Sequence, residues 1–236
     1  MLKKEKQNLD SLSEKWGSDK HFHGFTKFYE GFFVNYKNSK KICEIGMGGI
    51  MWQRGGKLPG ASSRMWLEYF PDAHVFILDN FSEIKEEEKE IVQKLISENK
   101  DRLTLILGDQ AKRSDLNMLI DKTGSDIDIL VDDGGHSMDQ QQISLGFLFS
   151  YLKPGGLYVI EDLHTSIPPS RPRFKLAKDL SNSTLKMIEK FNKTKKIQSR
   201  YLSQNEEEYL EKNIEYCKLF KNPNGNGITC ILKKVG

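Results

Sequence analysis

The sequence predicts an α/β fold: a mostly parallel, Rossmann-like sheet with a C-terminal antiparallel hairpin strand and helices on both faces. Three observations carry this. Short runs rich in Ile, Val and Leu alternate with longer segments of helical character. These runs are nearly continuous in apolar residues, as expected of strands covered on both faces. The alternation stops near Asp162, and the chain ends in two strand-like runs around a Pro-Asn-Gly-Asn-Gly turn.

Taken in order, residues 1–36 read as a helical N-terminal cap, with Leu9, Leu12, Trp16, Phe25, Phe28, Tyr29, Phe32 and Phe33 at its apolar positions. Gly17–Lys20 breaks it in two. A strand over Lys41–Ile45 runs into a glycine cluster and a long loop, Gly46–Gly60. A helix is predicted from Ser62 to Tyr69, with Ser62 or Ser63 as its cap. Strands follow at His74–Leu78, Leu103–Leu107, Ile127–Val131 and Leu157–Ile160. Between them lie helices over Ile84–Asn99, Ser114–Thr123 and Ser137–Leu152, the last closed by Lys153-Pro154-Gly155-Gly156. Beyond Asp162, Ile167–Arg173 is loop, Lys175–Phe191 and Asn205–Lys212 are helical, and Ile214–Phe220 and Ile228–Lys233 form the hairpin around Asn222–Gly227. The 236 residues suit a single domain.

The net charge of +3 is spread among interspersed acids and bases, which leaves no electrostatic footprint for a nucleic acid. The basic stretches Lys3–Lys6 and Lys193–Arg200 read as solvated helix faces. No apolar run is long enough for a membrane span, and the charged start does not resemble a signal peptide. Cys43, Cys217 and Cys230 lack metal spacing and sit in apolar runs, as packing residues of a reducing compartment do. A cytoplasmic protein with a small-molecule partner is expected, and a homo-oligomer is compatible with these features.

In open α/β sheets ligands bind beyond the carboxyl ends of the strands. Successive strands here end in Asp79, Asp109, Asp132-Asp133 and Glu161-Asp162. So many acids on one edge require cations or hydrogen-bond donors. The first strand ends in Glu44-Ile45-Gly46-Met47-Gly48-Gly49, where glycines permit close backbone approach. A long loop follows instead of an immediate helix with a third glycine, which disfavours a nicotinamide dinucleotide and the oxidoreductase reading. Asp79 is placed to accept hydrogen bonds from a ribose diol or to cap the next helix; Asp109-Gln110 are placed to read an adenine edge or to cap theirs. The three carboxylates Asp133, Glu161 and Asp162 form an oxygen-rich set suited to Mg²⁺ or another hard divalent ion. His136, three residues beyond Asp133, is placed to take a proton from a hydroxyl held there. His164 is placed near the acceptor pocket, and His21 and His23 near the Gly17–Lys20 break.

Together, Trp16-Gly-Ser-Asp-Lys20, Glu44-Ile-Gly-Met-Gly-Gly49, Gly60-Ala-Ser-Ser-Arg-Met-Trp-Leu-Glu-Tyr-Phe-Pro71, Gly108-Asp-Gln110, Asp132-Asp-Gly-Gly-His136 and Leu152-Lys-Pro-Gly-Gly-Leu-Tyr-Val-Ile-Glu-Asp162 resemble the class I S-adenosylmethionine-dependent O-methyltransferases that act on macrolide deoxysugars. The resemblance covers residues 12–166. It implies that Glu44 to Gly49, Ser63, Asp79, Asp109, Gln110 and Asp132 hold S-adenosylmethionine, that Asp133, Glu161 and Asp162 bind Mg²⁺, and that His136 is the general base. It also implies a hydroxyl acceptor on a sugar or glycoside; the alternative is an aromatic diol, as in catechol-type methyltransferases. Asp-Asp-Gly-Gly-His stands here where the family has Asp-Asp-Gly-Ser-His, and Ile50–Pro59 and 163–213 do not follow the family pattern.

Overall fold

The computed structural model describes residues 8–48, 58–168, 180–223 and 227–236. Gly49, the stretch Lys3–Lys6, most of the Gly46–Gly60 loop, all but the first two residues of the proline-rich loop with the start of the helix expected over Lys175–Phe191, and the tip of the final turn lie outside them.

Among the described residues, seven strands form one sheet: β1 (Lys41–Ile45), β2 (His74–Asp79), β3 (Leu103–Leu107), β4 (Ile127–Asp132), β5 (Leu152–Ile160), β6 (Ile214–Lys221) and β7 (Ile228–Lys234). Their order is β3-β2-β1-β4-β5-β7-β6. The first five strands pair in parallel; β7 is antiparallel to both β5 and β6. The predicted α/β class and its antiparallel ending are therefore both present. The order reverses between β1 and β4, which opens a crevice beyond their carboxyl ends.

Among the described residues, eight α-helices flank the sheet: α1 (Leu9–Trp16), α2 (Phe25–Phe33), α3 (Ala61–Tyr69), α4 (Glu86–Glu98), α5 (Arg113–Thr123), α6 (Met138–Leu148), α7 (Thr184–Thr194) and α8 (Gln204–Asn213). Successive strand residues face opposite sides, so two cores form. Ile42, Ile77, Val131 and Val159 pack with Leu9, Phe25, Phe33, Trp66 and Val92 from α1–α4. Cys43, Leu78, Leu130 and Tyr158 pack with Leu116, Leu145, Ile188 and Leu210 from α5–α8. Full burial of each large apolar side chain stabilises by about 1.5–3 kcal/mol, so the N-terminal cap helices are an integral layer of the fold. All three cysteines are buried and free. No helix among the described residues is long and apolar enough to cross a membrane.

Several predicted boundaries differ; the helix expected to end at Phe191 begins at Thr184, after a 3₁₀ turn over Leu180–Asn182, and runs on to Thr194. Neither Ser62 nor Ser63 caps α3: the cap is Gly60 in a left-handed conformation, without a side-chain bond. The serines are drawn into the helix because the deeply buried Glu44 offers Ser62 a better partner than the helix end does. The helix expected over Ser137–Leu152 stops at Leu148, and a one-turn 3₁₀ helix over Phe149–Tyr151 leads straight into β5. Lys153-Pro154-Gly155-Gly156 thus lies in the strand, where its start pairs irregularly with β4 across a bulge.

The cap is anchored at the strand ends. Gly17 ends α1 in a left-handed conformation (φ 74°), its N–H donating to the carbonyl of Glu14. A 3₁₀ turn over Asp19–His21 follows and turns Lys20 inward. From α2, the Tyr29 hydroxyl lies 2.9 Å from Thr229 Oγ1 on β7, and Thr229 Oγ1 donates to the carbonyl of Ile160 at the end of β5.

Candidate active site

The crevice between β1 and β4 is closed at its base by backbone. Gly46 has φ 94°, and a Cβ there would lie 2.2 Å from the carbonyl oxygen of Asp133. The glycine freedom noted in the sequence is thus used first to let the β1 and β4 ends meet. At the end of β2, Asp79 ties the glycine turn down: Oδ2 accepts from the Met47 N–H (2.7 Å) and Oδ1 from the Phe81 N–H (2.5 Å). Burial raises its pKa above the ordinary carboxylate range, with these N–H donors opposing. Asp109 accepts from the Ala111 N–H and is half-exposed above β3.

Asp132 and Asp133 part company because consecutive residues face opposite sides. Asp132 points into the α5–α6 side. Its Oδ1 accepts from Gln110 Nε2 at 2.9 Å, and its Oδ2 accepts from Ser144 Oγ and, at 3.4 Å, from the Tyr158 hydroxyl. Gln110 Oε1 in turn accepts from the Gly135 N–H at 2.6 Å. This network is buried, and burial pushes the Asp132 pKa up to about 6. The side-chain polar groups of Gln110 are engaged within the protein, directly beneath the loop that carries His136.

Asp133 faces the cap side and the cleft. Its Oδ2 accepts from Lys20 Nζ at 2.5 Å; its Oδ1 lies 4.0 Å from His136 Nε2. His136 Nε2 is also 3.5 Å from Asp162 Oδ2. Atoms of Asp133, His136 and Asp162 lie within 4.8 Å of one another, a separation at which one metal ion could be shared. Glu161, the third carboxylate of the expected metal set, is buried one residue earlier, with Oε1 3.0 Å from Lys20 Nζ. Burial, reinforced by the Asp133 charge, raises the Glu161 pKa well above its ordinary value, and Lys20 opposes. Burial would lower the Lys20 pKa, but the carboxylates of Asp133, Glu161 and Glu44 outweigh it and hold the group well above its ordinary value. Glu44, fully buried, accepts from Ser62 Oγ at 2.8 Å and lies 3.6 Å from Lys20; burial pushes its pKa up to about 7.

His136 and Asp162 both adopt left-handed backbone conformations (φ 60° and 54°), which for residues other than glycine cost about 1–3 kcal/mol each. One side chain holds the pair: Thr165 Oγ1 lies 2.6 Å from the carbonyl of His136 and 2.9 Å from that of Asp162. The His136 carbonyl directs the loop into α6, where Ser137 and Gln140 form a capping box. His164 lies near the same carboxylate, its Nδ1 3.9 Å from Asp162 Oδ1. His21 belongs to the cap turn, its Nδ1 2.6 Å from the carbonyl of Ser18, and His23 sits 3.7 Å from Asp19.

Sequence reasoning missed Lys20 and Thr165. The Trp16–Lys20 motif marked the first without a role, because its nearest partners, Asp133 and Glu161, lie more than a hundred positions away; nothing in the local pattern marks the second.

Chains of known activity resemble this one. No family model matches the sequence. The demethylmacrocin O-methyltransferase of Streptomyces fradiae is 36% identical over 159 residues, which are 67% of this chain and 35% of that protein. The mycinamicin VI 2''-O-methyltransferase of Micromonospora griseorubida is 32% identical over 167 residues, 70% of this chain and 38% of that protein. The chain is a homologue of these sugar O-methyltransferases. It spans about a third of the length of the curated relatives it matches. Among solved structures, the mycinamycin-pathway methyltransferase MycE, in complex with Mg, SAH and mycinamycin VI, superposes with a TM-score of 0.73 at 25% identity, over 98% of this chain and 55% of that one. An rRNA methylase from Streptococcus thermophilus matches with a TM-score of 0.50 at 12% identity, over 89% of this chain and 95% of that one, a likeness of fold alone. The class I methyltransferase fold of the chain is thereby established together with its kinship.

Proposed function

We propose that this chain transfers a methyl group from S-adenosylmethionine to a hydroxyl of a sugar or glycosylated small molecule, with Mg²⁺ as a required ion. The observation that carries the reading is the convergence of Asp133, His136 and Asp162 at the tips of β4 and β5, beside the glycine turn of β1, in a homologue of sugar O-methyltransferases.

The residues fit both groups. Asp162 Oδ1 and Ser63 Oγ are buried polar atoms without a hydrogen-bond partner among the described residues, each an open acceptor or donor at the crevice elements. The donor set Asp133, Glu161 and Asp162 is hard oxygen, suited to Mg²⁺. Glu44, Gly46, Gly48, Ser63, Asp79 and Asp109 would hold S-adenosylmethionine; the Asp79 carboxylate retains lone pairs for a ribose diol beyond the backbone N–H groups it binds. Gln110 and Asp132 would support the cofactor from beneath, since their polar atoms already pair with each other.

Bound Mg²⁺ would lower the pKa of a hydroxyl and offset developing negative charge, and bound S-adenosylmethionine would supply the sulfonium methyl. His136 Nε2 is placed to remove the acceptor proton, and Asp162, 3.5 Å away, steadies the protonated ring. Thr165 keeps both at a fixed separation. Segment 163–213, through α7 and α8, would shape the acceptor side. Calorimetric titration with S-adenosylmethionine, followed by a screen of glycosides and catechols with Mg²⁺ or EDTA, tests the reading. Absence of cofactor binding, or methyl transfer indifferent to EDTA, rejects it; transfer to catechols alone reassigns the acceptor.

A further inference from the structure

Lys20 has no assigned task, yet it is 1% exposed and its ammonium lies 2.5 Å from Asp133 Oδ2, 3.0 Å from Glu161 Oε1 and 3.6 Å from Glu44 Oε1. A buried cation is stable only when paired, and buried carboxylates in mutual contact are stable only with a counter-charge. The ammonium divides the cluster. It takes the inner oxygens of Asp133 and Glu161, while Asp133 Oδ1 and Asp162 Oδ2 remain turned toward His136. It is delivered by the cap, from a turn fixed by the Gly17 helix end and by Ser13 Oγ donating to the carbonyl of Ser18. We propose that Lys20 is a positioning residue: an internal counter-ion that assembles the inner half of the carboxylate cluster before any divalent ion is present, and so couples docking of the N-terminal cap to the geometry of the site. The proposal deepens the methyl-transfer reading and rests on it for its metal arm.

Thermal melting in EDTA of the wild type, Lys20→Met and the double variant Lys20→Met/Glu161→Gln provides the test. Breaking one side of a buried charge pair lowers the melting temperature of Lys20→Met by about 10 °C. Removing one negative charge along with the positive one recovers at least half of that loss. Added Mg²⁺ raises the melting temperature of Lys20→Met by more than that of the wild type, because the ion is then the cluster's remaining counter-charge. A double variant no more stable than Lys20→Met, or, where the wild type responds to Mg²⁺, an equal response in the two proteins, assigns Lys20 to packing and overturns the proposal. If Lys20→Met does not fold, the double variant decides alone: folded, it supports the counter-ion; unfolded, it overturns it. A wild type that neither binds Mn²⁺ by paramagnetic resonance nor responds to Mg²⁺ removes the metal from the functional reading, and the charge cycle in EDTA still judges Lys20.

Discussion

Asp132 and Asp133 are adjacent in the chain and opposite in environment. Asp132 is enclosed by neutral donors, from Ser144, Gln110 and Tyr158. Asp133 has charged neighbours, Lys20 on one oxygen and His136 near the other, and half of it faces the cleft. The difference teaches how one strand end serves two purposes. The side of the sheet that receives Asp132 builds a floor of satisfied hydrogen bonds; the side that receives Asp133 concentrates charge that only a ligand can complete. Rigid support beneath an unsatisfied cluster is what preorganisation requires.

The comparison breaks most decisively on the charged side. EDTA should abolish methyl transfer and Mg²⁺ restore it, with Asp162→Asn equally inactive at any Mg²⁺ concentration tested; substantial activity in that variant would remove Asp162 from the ion's ligands. His136→Ala should lose turnover by about 10²–10⁴-fold while its affinity for S-adenosylhomocysteine stays within about threefold of wild type. A proportionate loss of cofactor binding would make His136 structural instead.

Glu44 lies between the two regimes, and a pH series sharpens it. Its folded pKa is pushed up to about 7 from a usual value of 4.5, so the folded state holds its proton longer than the unfolded chain does. The sign follows: metal-free stability should fall as pH rises from about 4.5 to 7, by up to about 3 kcal/mol from this group. Glu44→Gln should flatten that slope in urea denaturation, and an unchanged slope would show that another group is responsible. On the neutral side, Gln110→Ala leaves Asp132 and the Gly135 N–H each short of a partner and should cost about 1–3 kcal/mol of stability. The Mg²⁺ requirement of that variant should be unaltered; a shifted Mg²⁺ half-saturation would merge the two regions into one functional unit.

Much of the fold was legible from periodicity. Buried parallel strands need apolar residues on both faces, and β1 to β4 show it in nearly continuous runs such as Val75–Leu78, in strands found within a residue of their observed ends. The acids at the strand tips were legible too, because open sheets bind ligands there. Where local reading failed, a distant partner had intervened: Glu44 drew Ser62 away from a capping role, and the start of β5 incorporated a Pro-Gly-Gly that reads as a helix stop.

By itself, then, the sequence determined which elements form, which residues stand at the carboxyl edge, and the kinship with sugar O-methyltransferases, since these depend on local period and on motif order. Tertiary structure alone decided that Asp133 shares Lys20 with Glu161 while facing His136 and Asp162, that Gln110 and Asp132 satisfy each other below, and that Thr165 joins the two strained turns. The physical reason is that strand residues alternate between faces and meet partners brought by other elements. A carboxylate's role is set by the side of the sheet it reaches and by the charge that arrives there from elsewhere in the chain.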